Sequence, residues 1–147
     1  MDGQQTQPPL SDLYLEDETA WLEAMSRLAA ERRCEELDYE HLSEYLADMA
    51  RRDRREVRSR LTTLLADLLK WEHQLEQRSN SWRVTIAEQR QELKVIFESR
   101  TLLNHANEVL AKAYQSAVRR ATLETGLAED TFPAECPFSL DAVLGPD

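Results

Sequence analysis

The stretch DYEHLSEYLADMARRDRREVRSRLTTLLADLLKWEHQLE, residues 38–76, decides the fold. Leu42, Leu46, Met49, Val57, Leu61, Leu64, Leu68, Trp71 and Leu75 follow one another in steps of four, three, eight, four, three, four, three and four, so one helix face stays apolar from end to end. The step of eight spans Arg51 to Glu56, six charged residues in a row, and neither glycine nor proline interrupts it. Propensity therefore favours one continuous helix, which at 1.5 Å per residue is about 58 Å long. A compact globule of 147 residues is only about 40 Å across. The helix is expected to protrude, or to bend within Arg51–Glu56.

On the N-terminal side, Ser11 is placed to cap a helix over residues 12–33 carrying Leu15, Leu22, Met25, Leu28 and Ala29, with acids in its first turns and Arg27, Arg32 and Arg33 in its last. Cys34 to Leu37 connect it to Asp38, the expected cap of the long helix. On the C-terminal side, Ser79-Asn80-Ser81 opens a third helix with Trp82, Ile86, Leu93, Ile96 and Phe97. A fourth runs from Leu102 past Ala121 and stops at Gly126. The segment Thr131 to Phe138 holds Pro133 and Pro137, so it is irregular, and its apolar groups are expected to pack across the helices. Ser139 can cap a last turn, Leu140 to Leu144. The expected fold is all-α: a helical bundle built on one long central helix, about residues 38–76, with an irregular proline-containing C-terminal tail. Residues 1–10 are read as a disordered arm and residues 11–147 as a single helical domain.

Composition agrees: 3 Gly and 5 Pro in a chain that is 41% hydrophobic and 31% charged exclude β-sandwich and collagen-like folds. The formal charge of -10 is uneven, because residues 1–48 hold 3 Arg against 13 carboxylates while the remainder has 15 of each sign. Nucleic-acid binding, which needs a basic footprint, is disfavoured for the chain as a whole. Cys34 and Cys136 are far apart and lack metal-ligand spacing, and are read as reduced thiols. No apolar run reaches the ~20 residues of a membrane span. The polar start, Met1 to Pro9, does not read as a signal peptide, so a cytoplasmic location is expected.

Chemistry-bearing patterns are sparse. A di-metal centre in a helical bundle needs paired Glu-x-x-His motifs. The chain has one near miss, Asp38-Tyr39-Glu40-His41, while His73 and His105 lack an acid three residues before them. Glycines only at positions 3, 126 and 145 exclude a P-loop and a Gly-x-Gly-x-x-Gly turn. No metal, cofactor or catalytic residue is expected, and the reading leans away from an enzyme. Arg51, Arg52, Arg54, Arg55, Arg58 and Arg60, with Asp53 and Glu56 among them, net +4 and could grip phosphates or an acidic protein surface. The bland account is a solvated helix segment with i,i+3 and i,i+4 pairs. In an antiparallel hairpin turning near Arg78, residues whose numbers sum to about 156 lie level. Asp67 then faces Gln89 and Arg90, with Lys70, Trp71, Trp82 and Arg83 nearer the bend, as a polar layer or a small pocket. Leu22, Met25, Leu42, Leu46 and Met49 form a candidate dimer face, since two helices alone bury little apolar surface. Its competitors are a bend in the long helix, or the tail covering the same face within one chain.

Leu68-Leu69-Lys70-Trp71, Arg78-Ser79-Asn80-Ser81-Trp82-Arg83-Val84-Thr85-Ile86, Glu88-Gln89-Arg90, Thr131-Phe132-Pro133 and Cys136-Pro137 together resemble the bacterial family called domain of unknown function 29, over Leu13 to Leu144. Where that family's pattern has a His before Leu-Leu-Lys-Trp and a Pro shortly after it, this chain has Asp67 and Leu75. The resemblance implies an all-helical fold in the bacterial cytosol and carries no activity. The expected function is a non-catalytic protein-interaction or adaptor module, with a protein partner that could be a second copy of the chain. The alternative is a nucleic-acid-associated regulator working through Arg51–Arg60.

Overall fold

The computed structural model describes residues 8–146, and the greater part of the arm expected over residues 1–10 therefore lies outside the described residues. Among those residues the elements are six α-helices and three single 3-10 turns, with no strand. The helices are α1 (Leu10–Glu16), α2 (Glu18–Ala30), α3 (Tyr39–His73), α4 (Asn80–Ile96), α5 (Arg100–Thr125) and α6 (Leu140–Leu144). The all-α expectation holds, and α3 is unbroken through Arg51–Glu56. Contacts divide the chain into two compact units, the first ending at Arg51 and the second beginning at Arg52.

In the first unit the single helix expected over residues 12–33 is two. Asp17 leaves helical geometry at φ -150°, and its carboxylate accepts from the Ala20 amide at 3.1 Å, capping α2. Ser11 caps nothing; Pro9 precedes α1 without a side-chain cap, and Leu10, expected in the arm, is already helical. The second helix stops at Ala30 because Arg32 is left-handed (φ 57°) and the Arg33 amide turns back to the Leu28 carbonyl at 2.9 Å. Trp21, wholly buried, is the centre of a small core with Met25 and Leu28, flanked by Tyr14, Leu22, Leu42 and Tyr45.

In the second unit α3 supplies Val57, Leu61, Leu64, Leu65, Leu68 and Leu69 to a core completed by Ile86 and Leu93 of α4 and Ala106, Ala113, Tyr114, Ala117 and Ala121 of α5. The helix α3 ends three residues earlier than the apolar pattern suggests. Gln74 breaks it at φ -125°, and Leu75 is 64% exposed, so Trp71 is the last member of the stripe. Arg78 takes up one of the helix's last carbonyls, its Nε donating to Trp71 O at 2.8 Å, while His73 Nδ1 lies 2.8 Å from Leu69 O one turn back. The tail packs as expected. Phe132 is 3% exposed, Tyr114 donates its hydroxyl to Pro133 O at 2.6 Å, and α6 buries Leu140 and Val143.

Candidate functional site

The side chains proposed as a polar layer divide between two neighbouring places of the second unit. On one side Gln89 Nε2 donates to Asp67 Oδ2 at 2.9 Å, the contact that the hairpin register calls for. Lys70 Nζ lies 3.2 Å from Asp67 Oδ1 and 2.5 Å from Glu124 Oε2, with the Asp67 and Lys70 side chains 15% and 18% exposed. Arg120 continues the chain of contacts to Glu124 at 3.0 Å and to Thr63 Oγ1 at 2.9 Å. Polar contacts thus tie α3, α4 and α5 together. Burial pushes the Lys70 ammonium down, but hydrogen bonds to Glu124 and Asp67 outweigh it and hold the pKa above its ordinary value. The same bond from Lys70, with that from Arg120, holds the Glu124 carboxyl below its usual range. Gln89 Oε1 is buried without a partner among the described residues, a cost of about 1–3 kcal/mol. A shallow hollow of about 430 Å³ opens here, lined by Asp67, Lys70, Gln74, Trp82, Thr85 and Glu124 among others.

Arg90 is not part of this layer. Its Nε donates to Val143 O at 2.9 Å, because the short α6 ends beside it with carbonyls that need donors. Of the two expected partners of Asp67, only Gln89 is its partner. Arg90 lies on the other side, where it lines a recess of about 260 Å³ with Leu68, Trp71, Arg83, Ile86 and Ala87. A second hollow, about 400 Å³, is bounded by Trp71, Arg78, Ser79, Asn80 and Arg83. Trp71 and Trp82 meet edge to face, their centroids 5.4 Å apart, and each has a cation over it: Arg78 at 4.6 Å from the Trp71 centroid and Lys70 at 5.8 Å from that of Trp82. Two residues escaped sequence reasoning. Glu124 could not be placed because the register of α5 was open, and Arg78 stood in the turn as a residue of the family pattern, with no signal that it would stack on Trp71. A groove of about 810 Å³ between α5 and the tail, lined by Tyr114, Val118, Arg119, Phe132 and Pro133 among others, was not foreseen either.

The basic segment is unevenly paired. Arg51 pairs with Asp48, and Arg60 with Glu56 at 2.9 Å and with Glu92. Arg52, Arg54, Arg55 and Arg58 form no ion pair among the described residues, and Arg52, Arg55 and Arg58 are exposed.

In the first unit, Asp38 is more than a helix cap. Besides accepting from the His41 amide (3.4 Å), it accepts from Trp21 Nε1 at 3.1 Å and lies 2.8 Å from His41 Nδ1. Tyr14 stacks on the His41 ring at 4.3 Å. Burial alone would push the Asp38 carboxyl up; the bonds from His41 and Trp21 overcome it and hold it below its ordinary value. Of the candidate dimer face, Met25 is 5% exposed and belongs to the core, Leu22, Leu42 and Met49 are half-buried, and Leu46 is 58% exposed. Among the described residues no cluster of three or more His, Cys, Asp or Glu could hold a metal ion, and no helix is long and apolar enough to cross a membrane. Both thiols are free; burial raises that of Cys136.

A family model described as domain of unknown function DUF29 matches residues 13–147. No curated protein and no solved structure matches the chain.

Proposed function

The chain belongs to the family of domain of unknown function DUF29, and since that membership brings no activity with it, we propose that the protein is an interaction module that engages an acidic protein surface through Arg52, Arg54, Arg55 and Arg58. What carries this reading is the unpaired state of those four guanidiniums. They lie within two turns of α3, so Arg52 and Arg55, Arg55 and Arg58, and Arg54 and Arg58 are like-charge neighbours at i,i+3 or i,i+4. At about 0.2–0.5 kcal/mol per like-charge pair, offset in part by Glu56 four residues from Arg52, the arrangement costs the free chain less than about 1 kcal/mol. Carboxylates of a partner relieve that repulsion.

A compact acidic patch suits the site better than a long polyanion, which would also meet the net -10 of the chain, and no aromatic residue lies within the run to stack on bases. A location in the bacterial cytoplasm goes with this reading. The exposure of Leu46 favours a second copy of the chain as a further partner, through Leu22, Leu42, Leu46 and Met49, and sedimentation of a dilute sample tests it.

The main test is affinity capture from a nuclease-treated extract, comparing the native chain with a variant in which Arg52, Arg54, Arg55 and Arg58 are all changed to Gln. Proteins held by the native chain and lost from the variant support the reading. Equal retention on both overturns it. Binding to duplex DNA that fades steeply with salt and is lost in the variant would establish the nucleic-acid alternative instead.

A further inference from the structure

Three guanidiniums gather around Trp71 with no carboxylate to meet them. Arg78 stacks on the indole and is held by its Nε bond to the Trp71 carbonyl. The Arg83 side chain has neither a hydrogen bond nor an ion pair among the described residues, although it borders both the 260 Å³ recess and the 400 Å³ hollow. Arg90 is anchored through Nε alone, so its two terminal nitrogens keep their donors. Gly145 packs directly behind that guanidinium; a Cβ there would lie 2.8 Å from Arg90 Cζ. No acidic side chain lines either hollow, whereas the hollow on the Asp67 side has two. The remaining walls of the recess are apolar, with Leu68 8% and Ile86 5% exposed beside the Trp71 ring.

We propose that Trp71, Arg83 and Arg90 form a binding site for a small organic oxyanion, a carboxylate or phosphate group carried on a flat apolar body, with Arg78 stacked on Trp71 beside it. A guanidinium fork matches both head groups through paired N–H bonds. Arg90, fixed by Val143 O and backed by Gly145, is set in place before any ligand arrives, so little of the binding energy goes into ordering it. Leu68, Ile86 and Trp71 take the apolar body. A recess of 260 Å³ falls just below the usual range of ligand sites, about 300–1,000 Å³, so the ligand can be no larger than one aromatic ring with one acid group. The site is separate from Arg52–Arg58, so either reading can fail without the other.

Chemical-shift titration of the whole chain at constant ionic strength tests it, with benzoate, phenyl phosphate, inorganic phosphate and benzyl alcohol as probes. The Trp71 indole and the Arg78 and Arg90 Nε–H signals report on the site, and the Trp21 indole, in the other unit, serves as the control. The expected result is a saturating shift with benzoate or phenyl phosphate, at least tenfold weaker in Arg83→Gln, with Trp21 unmoved. Which of the two binds more tightly identifies the head group. Because the Arg83 side chain makes no hydrogen bond or ion pair among the described residues, its replacement should leave the fold intact, and unchanged amide signals of Tyr114 and Val143, core residues of the same unit, verify this. Shifts that do not saturate, that are matched by benzyl alcohol or by inorganic phosphate, or that survive Arg83→Gln at full affinity overturn the proposal.

Discussion

Replacing Gly145 by alanine should loosen the C-terminal tail far more than the same change at Gly126, although both glycines have positive φ. Gly145 sits at φ 74°, ψ 175°, a region open almost only to glycine that costs other residues about 1–3 kcal/mol. Its new Cβ would lie 2.8 Å from Arg90 Cζ and 2.9 Å from Nε. The guanidinium can swing away, so the clash itself is cheap, but the movement breaks the bond from Nε to Val143 O. A charged hydrogen bond contributes about 1.5–3 kcal/mol, and the lower figure applies to a half-buried group. The total is about 3 kcal/mol. Gly126 has φ 72°, ψ 4° and no atom within 4 Å of an added Cβ, which leaves only the left-handed strain of about 1 kcal/mol. The helix α6 has only five residues, so the loss should appear as local opening rather than global unfolding. A difference of about 2 kcal/mol is roughly a thirtyfold change in population. Amide exchange over residues 140–145 should therefore be at least about thirty times faster in Gly145→Ala than in Gly126→Ala. Equal exchange in the two variants, or an Arg90 Nε–H signal unmoved in Gly145→Ala, would refute the reasoning.

Three more outcomes follow from the same contacts. A double-mutant cycle on Asp67→Ala and Gln89→Leu should show coupling of about 1–2 kcal/mol in urea unfolding, and the corresponding cycle on Asp67 and Arg90 should show none; the reverse pattern would mean the hydrogen bonds are wrongly assigned. The folded-state pKa of Asp38 is below its ordinary value of 3.8, so its contribution to stability is present above that pH and is lost as the pH falls below it; acid unfolding followed by Trp21 fluorescence should show a shallower slope below about pH 4 in Asp38→Asn, and an identical slope counts against the shift. Changing Arg52, Arg54, Arg55 and Arg58 to Gln should leave the melting temperature unchanged or raise it slightly, since it removes repulsion and no ion pair; a marked drop would show that these arginines hold the fold.

The helix α3 was legible because its apolar spacing persists through a run without glycine or proline, and the Asp67–Gln89 contact because a short turn fixes the hairpin register. The break at Asp17 carries a signal, an acid three residues before the Ala20 amide it caps, but the apolar pattern runs across it and hid it. The end of α3 at His73 follows from Gln74 leaving helical geometry, with Arg78 reaching back to the Trp71 carbonyl, and apolar spacing encodes neither. Register alone leaves Asp67 facing both Gln89 and Arg90, and does not say which of them it meets. The acceptor of Arg90, Val143, lies 53 residues away on a helix whose docking position no local rule supplies. The same holds for Lys70 and Glu124. Met25 shares the spacing of the expected dimer face yet is buried in the core, because helical spacing does not distinguish a core position from one awaiting a partner.

The most direct test of the interaction reading is arginine-selective modification with phenylglyoxal, read residue by residue by mass spectrometry, on the free chain and on its complex with the captured protein. Arg52, Arg54, Arg55 and Arg58 should react readily in the free chain and be shielded in the complex, while Arg27 and Arg119 react equally in both. If the four arginines stay as reactive in the complex as in the free chain, the partner binds elsewhere and the central claim fails.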